Sequence, residues 1–326
     1  MTKMMSMLII MESIDKGIIN YDTKVTVSAN ASSMGGSQIL LETGEEMSVE
    51  DLLKGVAIAS GNDAVVALAE KIAGTSDLFV EMMNKKVKEL GLKDTNFINP
   101  HGLDAVDHYF SAYDMAVIAK ELLKHEKILE YTSVYETYLR ENTDRKVWLV
   151  NTNKLVRFYN GVDGLKTGYT KESGYCLTAT ALKDNMRVVA VVMGEPESTT
   201  RNSEVSTMLD YSYAQYKIDK LYNKGDIVGN SKVYNSNVKN MNLKLVEDVT
   251  FLKKKIDEKV EYTYETKISD LVAPKKVGDI VGTMYIKNKD VIVKEVPITV
   301  ESNIDKLNIF KLLLHNIKDT LNFNVY

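Results

Sequence analysis

The chain has 326 residues, 44% of them hydrophobic and 26% charged, which is the composition of a globular protein with one or two domains. Its formal net charge of -4 argues against a nucleic-acid partner, because there is no basic excess to neutralise phosphates. Cys176 is the only cysteine, which excludes an internal disulfide.

The first 220 residues predict a helical block inserted into a sheet. The helix predicted at 2–14 has Met and Leu residues on all its sides, as expected for a central helix. A second helix begins at Ser48 and runs to Ala59, where Ser60-Gly61-Asn62 interrupts it. Further helices are predicted at 63–72, 77–90, 111–125 and 198–216, and strands at 147–150, 175–182 and 186–193.

The sequence pattern changes after Lys224-Gly225-Asp226. Residues 226–302 contain short alternating segments rich in Val, Lys and Tyr, which predict a small all-β module. A terminal helix is then predicted, because apolar residues recur at spacings of three and four residues or their multiples: Ile304, Leu307, Leu314, Ile317 and Leu321. We therefore predict domains at 1–222 and 223–302, followed at 303–326 by an amphipathic helix that binds a membrane surface or packs on the β module.

Three short motifs point to acyl-transfer chemistry. Met1-Thr2-Lys3, Ser60-Gly61-Asn62 and Lys166-Thr167-Gly168 fit S-x-x-K, S-x-N and K-T-G in that order. Acyl transfer needs an activated nucleophile, a base, donors for the oxyanion and an anchor for the substrate. A lysine that is partly desolvated and close to other cations can accept a serine proton, and the cation and hydroxyl of K-T-G can bind a carboxylate.

The nucleophile is the missing part of this pattern. S-x-x-K ending at Lys3 requires a serine at the position directly before Met1. Ser13 and Ser236 also begin S-x-x-K matches, but such matches arise by chance, and Ser13 falls at the end of a predicted helix, where the dipole disfavours an oxyanion. We therefore expect the chain as printed to be inactive, with either a misassigned start or a truncation.

The motifs and their flanks carry a family resemblance. The stretches ASGNDAVVALAEKIAG, NPHGLD, NTNKL and GVDGLKTGYTKESGYCLTATA resemble the serine-type D-Ala-D-Ala carboxypeptidases, the low-molecular-mass penicillin-binding proteins. The likeness is close over about residues 1–220 and looser over 226–326. It implies an α/β (α+β) fold of the serine β-lactamase and DD-peptidase type, with an antiparallel sheet, flanking helices and a helical subdomain, followed by a small all-β domain.

The resemblance also implies an activity, partners and residue roles. The expected reaction removes the terminal D-alanine from peptidoglycan pentapeptide stems through an acyl-enzyme, without a cofactor or metal. β-Lactams should inhibit the full-length form, located extracellularly or at the outer face of the bacterial cytoplasmic membrane. The resemblance implies that Lys3 is the general base, that Ser60 relays a proton and that Asn62 positions the substrate amide. It also implies that K-T-G binds the substrate: Lys166 and Thr167 hold the terminal carboxylate, and Tyr169, which follows Gly168, donates its backbone N–H to the oxyanion.

Two alternative functions stay open. The chain could be a truncated relative that binds peptidoglycan stems without acylation. It could instead be a β-lactamase, which would need a base placed to hydrolyse the acyl-enzyme quickly and is not expected to have a second β domain. Trp148 is expected to pack in the core rather than to form a platform for sugar rings.

Overall fold

A computed structural model describes residues 1–256 and 260–308, and the chain divides into two units, Met1–Ala214 and Gln215–Tyr326. The sequence pattern predicted this boundary at residue 222. The strand β10 (Tyr216–Tyr222) pairs instead with β13 (Val249–Lys254), so its backbone hydrogen bonds belong to the second unit.

The first unit combines helices with short antiparallel strand pairs and one three-stranded sheet. Its α-helices are α1 (Lys3–Asp15), α2 (Ala29–Ser32), α3 (Val49–Ala59), α4 (Asn62–Ala73), α5 (Ser76–Glu89), α6 (Ala112–Leu122), α7 (Leu129–Thr132), α8 (Leu155–Phe158) and α9 (Ser198–Gln215), with a 3₁₀ turn at Glu126–Ile128. Its strands are β1 (Lys24–Thr26), β2 (Glu46–Ser48), β3 (Thr95–Asn96), β4 (Tyr109–Phe110), β5 (Glu136–Leu139), β6 (Val147–Val150), β7 (Val162–Thr170), β8 (Gly174–Lys183) and β9 (Met186–Glu195).

Helix α1 is the centre of the first unit. Its apolar residues are buried on every side, and α3, α4, α5 and α6 all contact it. A helix that is hydrophobic all round is stable only when it is enclosed. The prediction of a central helix at this position is therefore confirmed.

The three-stranded sheet lies beside this helical core. Its order is β7-β8-β9, with both pairs antiparallel, and α6 packs against β9. β7 is an edge strand, so every second backbone N–H and C=O along it points away from β8. The register sets Gly168 opposite Cys176 and Tyr169 opposite Tyr175. The predicted combination of an antiparallel sheet with flanking helices is confirmed.

The second unit is built from strands in its described part, as predicted. Its strands beyond β10 and β13 are β11 (Ile227–Tyr234), β12 (Asn240–Leu245), β14 (Tyr262–Ile268), β15 (Leu271–Val272), β16 (Ile280–Asn288) and β17 (Val291–Val300). These six strands form a sheet of order β14-β16-β17-β12-β11-β15, and β11 and β15 are its parallel pair. A separate core of Val, Ile, Leu and Met side chains fills this unit.

The predicted terminal helix does not begin at residue 303. Ile304 is buried and bridges to Lys275, and the Leu307 N–H donates to the carbonyl of Asn235, so residues 303–308 extend the β-rich unit. The prediction is wrong for these residues because their apolar side chains pack on the β module. The remainder, 309–326, lies outside the described residues. Within the described ranges, no helix combines the length and apolar character needed to span a bilayer.

Candidate active site

Lys3 is the first residue of α1, and its side chain is part of the candidate site. Its Nζ donates to Asn62 Oδ1 at 2.5 Å and to the carbonyl of His101 at 2.7 Å. Its side chain is buried, and both partners are neutral acceptors. Lys3 Nζ is therefore held in position by two uncharged oxygen acceptors.

The electrostatic surroundings of Lys3 favour its neutral form. Burial, and after it the positive charge of Lys166, lowers the pKa of Lys3 well below its ordinary value of 10.5. The carboxylate of Asp63 acts in the opposite direction and does not reverse the effect. A neutral amine has a lone pair, so Lys3 can accept a proton from a neighbouring hydroxyl.

The interruption between α3 and α4 carries the second motif. Ser60 adopts the left-handed conformation, with φ of 63°, and this turns the chain so that Asn62 begins α4. The Asn62 amide is buried, and its Nδ2 donates to the carbonyl of Gly35 at 2.6 Å. Asn62 thereby joins Lys3 to the segment that precedes α3.

Asp63 fixes the same segment to α4. Its buried carboxylate accepts the backbone N–H groups of Ile39, Leu41 and Ala64 at 2.8–3.1 Å. A carboxylate near a helix N-terminus is stabilised by the helix dipole as well as by these donors. Asp63 was not singled out from the sequence, although its place directly after S-x-N gave a signal.

The third motif lies on the edge strand β7. Lys166 is buried, and its Nζ donates to the carbonyl of Thr167 at 3.1 Å. Thr167 Oγ1 donates to Thr152 Oγ1 at 2.7 Å. Tyr169 is exposed, and its ring centroid is 4.3 Å from that of Tyr175 on β8.

Gly168 is the point at which β7 meets α1. A Cβ built on Gly168 would lie 2.7 Å from the backbone nitrogen of Met1, so a larger residue would push the strand away from the helix. The third motif therefore approaches the start of α1, where Lys3 begins the helix. This contact and the hydrogen bond from Lys3 to Asn62 bring parts of all three motifs together.

A buried arginine that sequence reasoning missed influences this site. Arg201 on α9 donates from Nη1 to the carbonyl of Cys176 at 3.4 Å, and Cys176 is the partner of Gly168 across the sheet. Burial, with the positive charge of Arg201, lowers the pKa of Lys166 from 10.5 to about 7. When Lys166 of K-T-G is protonated, its charge and that of Arg201 repel each other. An anionic group bound at K-T-G would relieve this repulsion.

The loop over the start of α1 is held by His108 and Thr2. Ile98 N–H donates to His108 Nδ1 at 3.1 Å, so the proton of the neutral ring is on Nε2, which lies 2.8 Å from Thr2 Oγ1. Burial lowers the pKa of His108 and of His101 to about 4. Both rings are therefore neutral structural groups near pH 7. The described ranges contain no cluster of three or more His, Cys, Asp or Glu residues suited to a metal ion.

Comparisons with known protein families divide the chain in the same way as its fold. Residues 1–197 match the family described as D-alanyl-D-alanine carboxypeptidase. Residues 216–306 match the C-terminal domain of penicillin-binding protein 5. The two matches fall on either side of the division between Ala214 and Gln215.

Individual relatives agree with the family matches. D-alanyl-D-alanine carboxypeptidase DacF of Bacillus subtilis (strain 168) is 49% identical over 324 residues, which cover 99% of this chain and 83% of DacF. The crystal structure of penicillin-binding protein 5 from Haemophilus influenzae is similar with a TM-score of 0.70 and 31% identity, covering 94% of this chain and 89% of that protein. The ampicillin-bound form of penicillin-binding protein D2 from Listeria monocytogenes gives a TM-score of 0.56 and 28% identity, covering 65% of this chain and 85% of that one.

Proposed function

The chain belongs to the D-alanyl-D-alanine carboxypeptidase family, and we propose that it removes the terminal D-alanine from the pentapeptide stems of peptidoglycan. The observation that supports this most strongly is the environment of Lys3. Its buried amine is oriented by Asn62, and its pKa is lowered by burial and by the charge of Lys166. That combination suits a base for a serine hydroxyl, as acyl transfer requires.

In a protein that carries a serine directly before Met1, the position that S-x-x-K requires, acylation begins at that serine. Its oxygen attacks the carbonyl of the last peptide bond while Lys3 removes the hydroxyl proton. The start of α1 assists, because the positive end of the helix dipole favours a developing alkoxide. Ser60 then passes a proton to the leaving nitrogen as the C–N bond breaks, and D-alanine departs.

The tetrahedral intermediate needs donors for its oxyanion. Because β7 is an edge strand, backbone N–H groups along it are available to a ligand. We assign one donor to the N–H of Tyr169, and the other to the N–H of the serine itself. Water then hydrolyses the acyl-enzyme ester while the same two N–H groups hold its oxyanion, and the shortened stem leaves.

The terminal carboxylate of the stem is bound at K-T-G. Lys166 supplies a cation and Thr167 a hydroxyl, and the positive charge of Arg201 adds to the potential. A bound carboxylate favours the charged form of Lys166, so substrate binding raises its lowered pKa. In the free protein Lys166 is only partly protonated near pH 7, and the substrate selects the cationic form.

Replacing Lys166 with Ala tests this assignment in the protein that carries a serine directly before Met1. A charge-assisted contact with a carboxylate is worth about 1.5–3 kcal/mol, so kcat/KM on an acyl-D-Ala-D-Ala peptide should fall about ten- to a hundredfold. The matched substrate is the same peptide with a C-terminal amide, on which the variant should lose much less. Equal losses on the two substrates would mean that Lys166 does not bind the carboxylate.

The second unit favours this function over a β-lactamase. Its match to the C-terminal domain of penicillin-binding protein 5 covers residues 216–306, and a β-lactamase is not expected to have such a domain. β-Lactams are proposed as inhibitors that acylate the same serine, in line with the ampicillin-bound relative. The ester should then persist, whereas a β-lactamase would release it rapidly.

We also propose catalysis by the first unit, Met1–Ala214, and membrane-surface binding by the end of the chain, at the outer face of the bacterial cytoplasmic membrane. Ile304 and Leu307 belong to the β-rich unit, so the apolar residues left for lipid begin at Ile309. Deleting residues 309–326 should abolish co-sedimentation with anionic vesicles and leave the melting temperature nearly unchanged. A large fall in the melting temperature, with the intact chain ignoring vesicles, would assign those residues to stability.

A further inference from the structure

An aromatic pair is exposed on the hairpin formed by β5 and β6. Tyr138 and Trp148 are directly opposite each other in this antiparallel pair, and they are 45% and 59% exposed. Leu149, the next residue along β6, is buried, because successive side chains of a strand point to opposite sides. The expectation that Trp148 packs in the core is therefore wrong.

The strand that carries Trp148 leads directly to the candidate active site. The chain continues through Val150 to Thr152, which accepts the hydroxyl hydrogen bond from Thr167 of K-T-G. Four residues of chain can span at most about 13 Å. Along the backbone, the aromatic pair is thus separated from the carboxylate-binding end of the site by no more than about the length of four stem residues.

Charged groups border the aromatic pair. Lys146 Nζ lies 3.9 Å from the centre of the Tyr138 ring and 3.7 Å from a carboxylate oxygen of Glu141. Glu136 is also exposed, and alternation along β5 sets it on the same side as Tyr138. Lys146 Nζ therefore lies over one face of the Tyr138 ring, and the surface offers the exposed Trp148 ring with hydrogen-bonding groups beside it.

This combination matches the chemistry of a pyranose ring. The C–H groups on one face of a sugar pack on an aromatic ring, while its hydroxyl and acetamido groups need polar partners at the edge of that ring. Tyr and Trp suit this arrangement because each combines a large apolar face with a polar tip. Exposed apolar surface that is rimmed by polar groups is a feature of ligand-binding sites.

Resting on the proposed function, we propose that Tyr138 and Trp148 bind an N-acetylated amino-sugar ring of the glycan that carries the stem being trimmed. The stem peptide lies between this platform and Lys166, with its sugar-bearing end at the aromatic pair. The platform distinguishes stems attached to glycan from free peptides of the same sequence. It acts on KM, because it lies far from the bond that breaks.

Trp148 is the only tryptophan in the chain, so intrinsic fluorescence reports on the platform directly. Titration with a chitin-type oligosaccharide of N-acetylglucosamine should change the emission of the intact protein and saturate. Tyr138→Ala, which keeps the reporter, should weaken that binding. An unchanged emission, or a change that follows protein concentration and indicates a second copy on this surface, would overturn the proposal.

Kinetics separate this proposal from the proposed function. In the protein with a serine directly before Met1, Trp148→Ala should raise KM for a disaccharide-pentapeptide about two- to tenfold and leave kcat unchanged. The free pentapeptide should be processed as before, Trp148→Phe should restore KM, and Tyr113→Ala, at a residue of α6 that is 78% exposed, should match the parent. If Trp148→Ala changes KM equally for the two substrates, or for neither, the platform is refuted and the proposed function stands. If the parent turns over neither substrate, the proposed function is refuted.

Discussion

Replacing Lys166 with Met tests the electrostatic description of the site through stability. Met keeps an unbranched side chain of similar length and removes the charge. The pKa of Lys166 is lowered from 10.5 to about 7 by burial and by Arg201. Each pH unit of such a difference is worth about 1.4 kcal/mol, so the buried cation destabilises the fold by about 5 kcal/mol wherever both states are protonated.

The sign of the pH dependence follows from the lowered pKa. Below pH 7 the folded and unfolded chains both carry the proton, and the whole penalty is present. Between pH 7 and 10.5 the unfolded chain binds more protons than the folded chain, so stability rises with pH and the penalty shrinks. The Lys166→Met variant should therefore be more stable than the parent by several kcal/mol at pH 6, and by less than about 1 kcal/mol at pH 10.

Urea unfolding followed by the fluorescence of Trp148 measures the relevant transition, because Trp148 lies in the same unit as Lys166. Lys93→Met, at an exposed lysine, is the control and should leave stability nearly unchanged. A gain for Lys166→Met that is the same at pH 6 and pH 10, or a loss at pH 6, would refute the reasoning.

Two further predictions concern groups around the same site. Asp63→Ala should lower the free energy of unfolding by about 3–5 kcal/mol in the same urea assay, because the buried N–H groups of Ile39 and Leu41 lose their acceptor; a loss below 1 kcal/mol would contradict this. The rate of acylation by a penicillin should rise with pH as Lys3 loses its proton. Lys166→Met should move that rise to higher pH, since Lys166 helps to lower the pKa of Lys3, and an unmoved rise would refute the coupling.

Candidate site residues could be chosen from the sequence where a motif fixes the spacing of neighbouring residues. The three motifs have fixed internal spacings, so Lys3, Asn62 and Lys166 could be selected without coordinates. Apolar residues on all sides of α1 predicted that this helix is buried. Arg201 could not be found in this way. Arg201 is close to K-T-G because it donates to the carbonyl of Cys176, and the register of β7 and β8 sets Cys176 opposite Gly168. The local sequence does not predict that register.

Short strands and chain ends were the least predictable parts. β6 has four residues, and so short an apolar segment does not reveal which side faces the core, so Trp148 was assigned to the wrong side. Ile304 and Leu307 fit a helical spacing, yet pairing with the β-rich unit outweighs that local preference. In both cases tertiary contacts decide between conformations that the local sequence allows.

The central claim is that a serine directly before Met1, activated by Lys3, is acylated. The most direct measurement is labelling with a fluorescent penicillin, followed by denaturation and peptide mapping, of the protein with serine at that position. Its controls are the protein with alanine there and the polypeptide of residues 1–326. We expect one stable adduct, on that serine, and none on either control. An adduct on Ser13 or Ser60, or labelling of a control, would contradict it, as would a folded serine form that takes up no label.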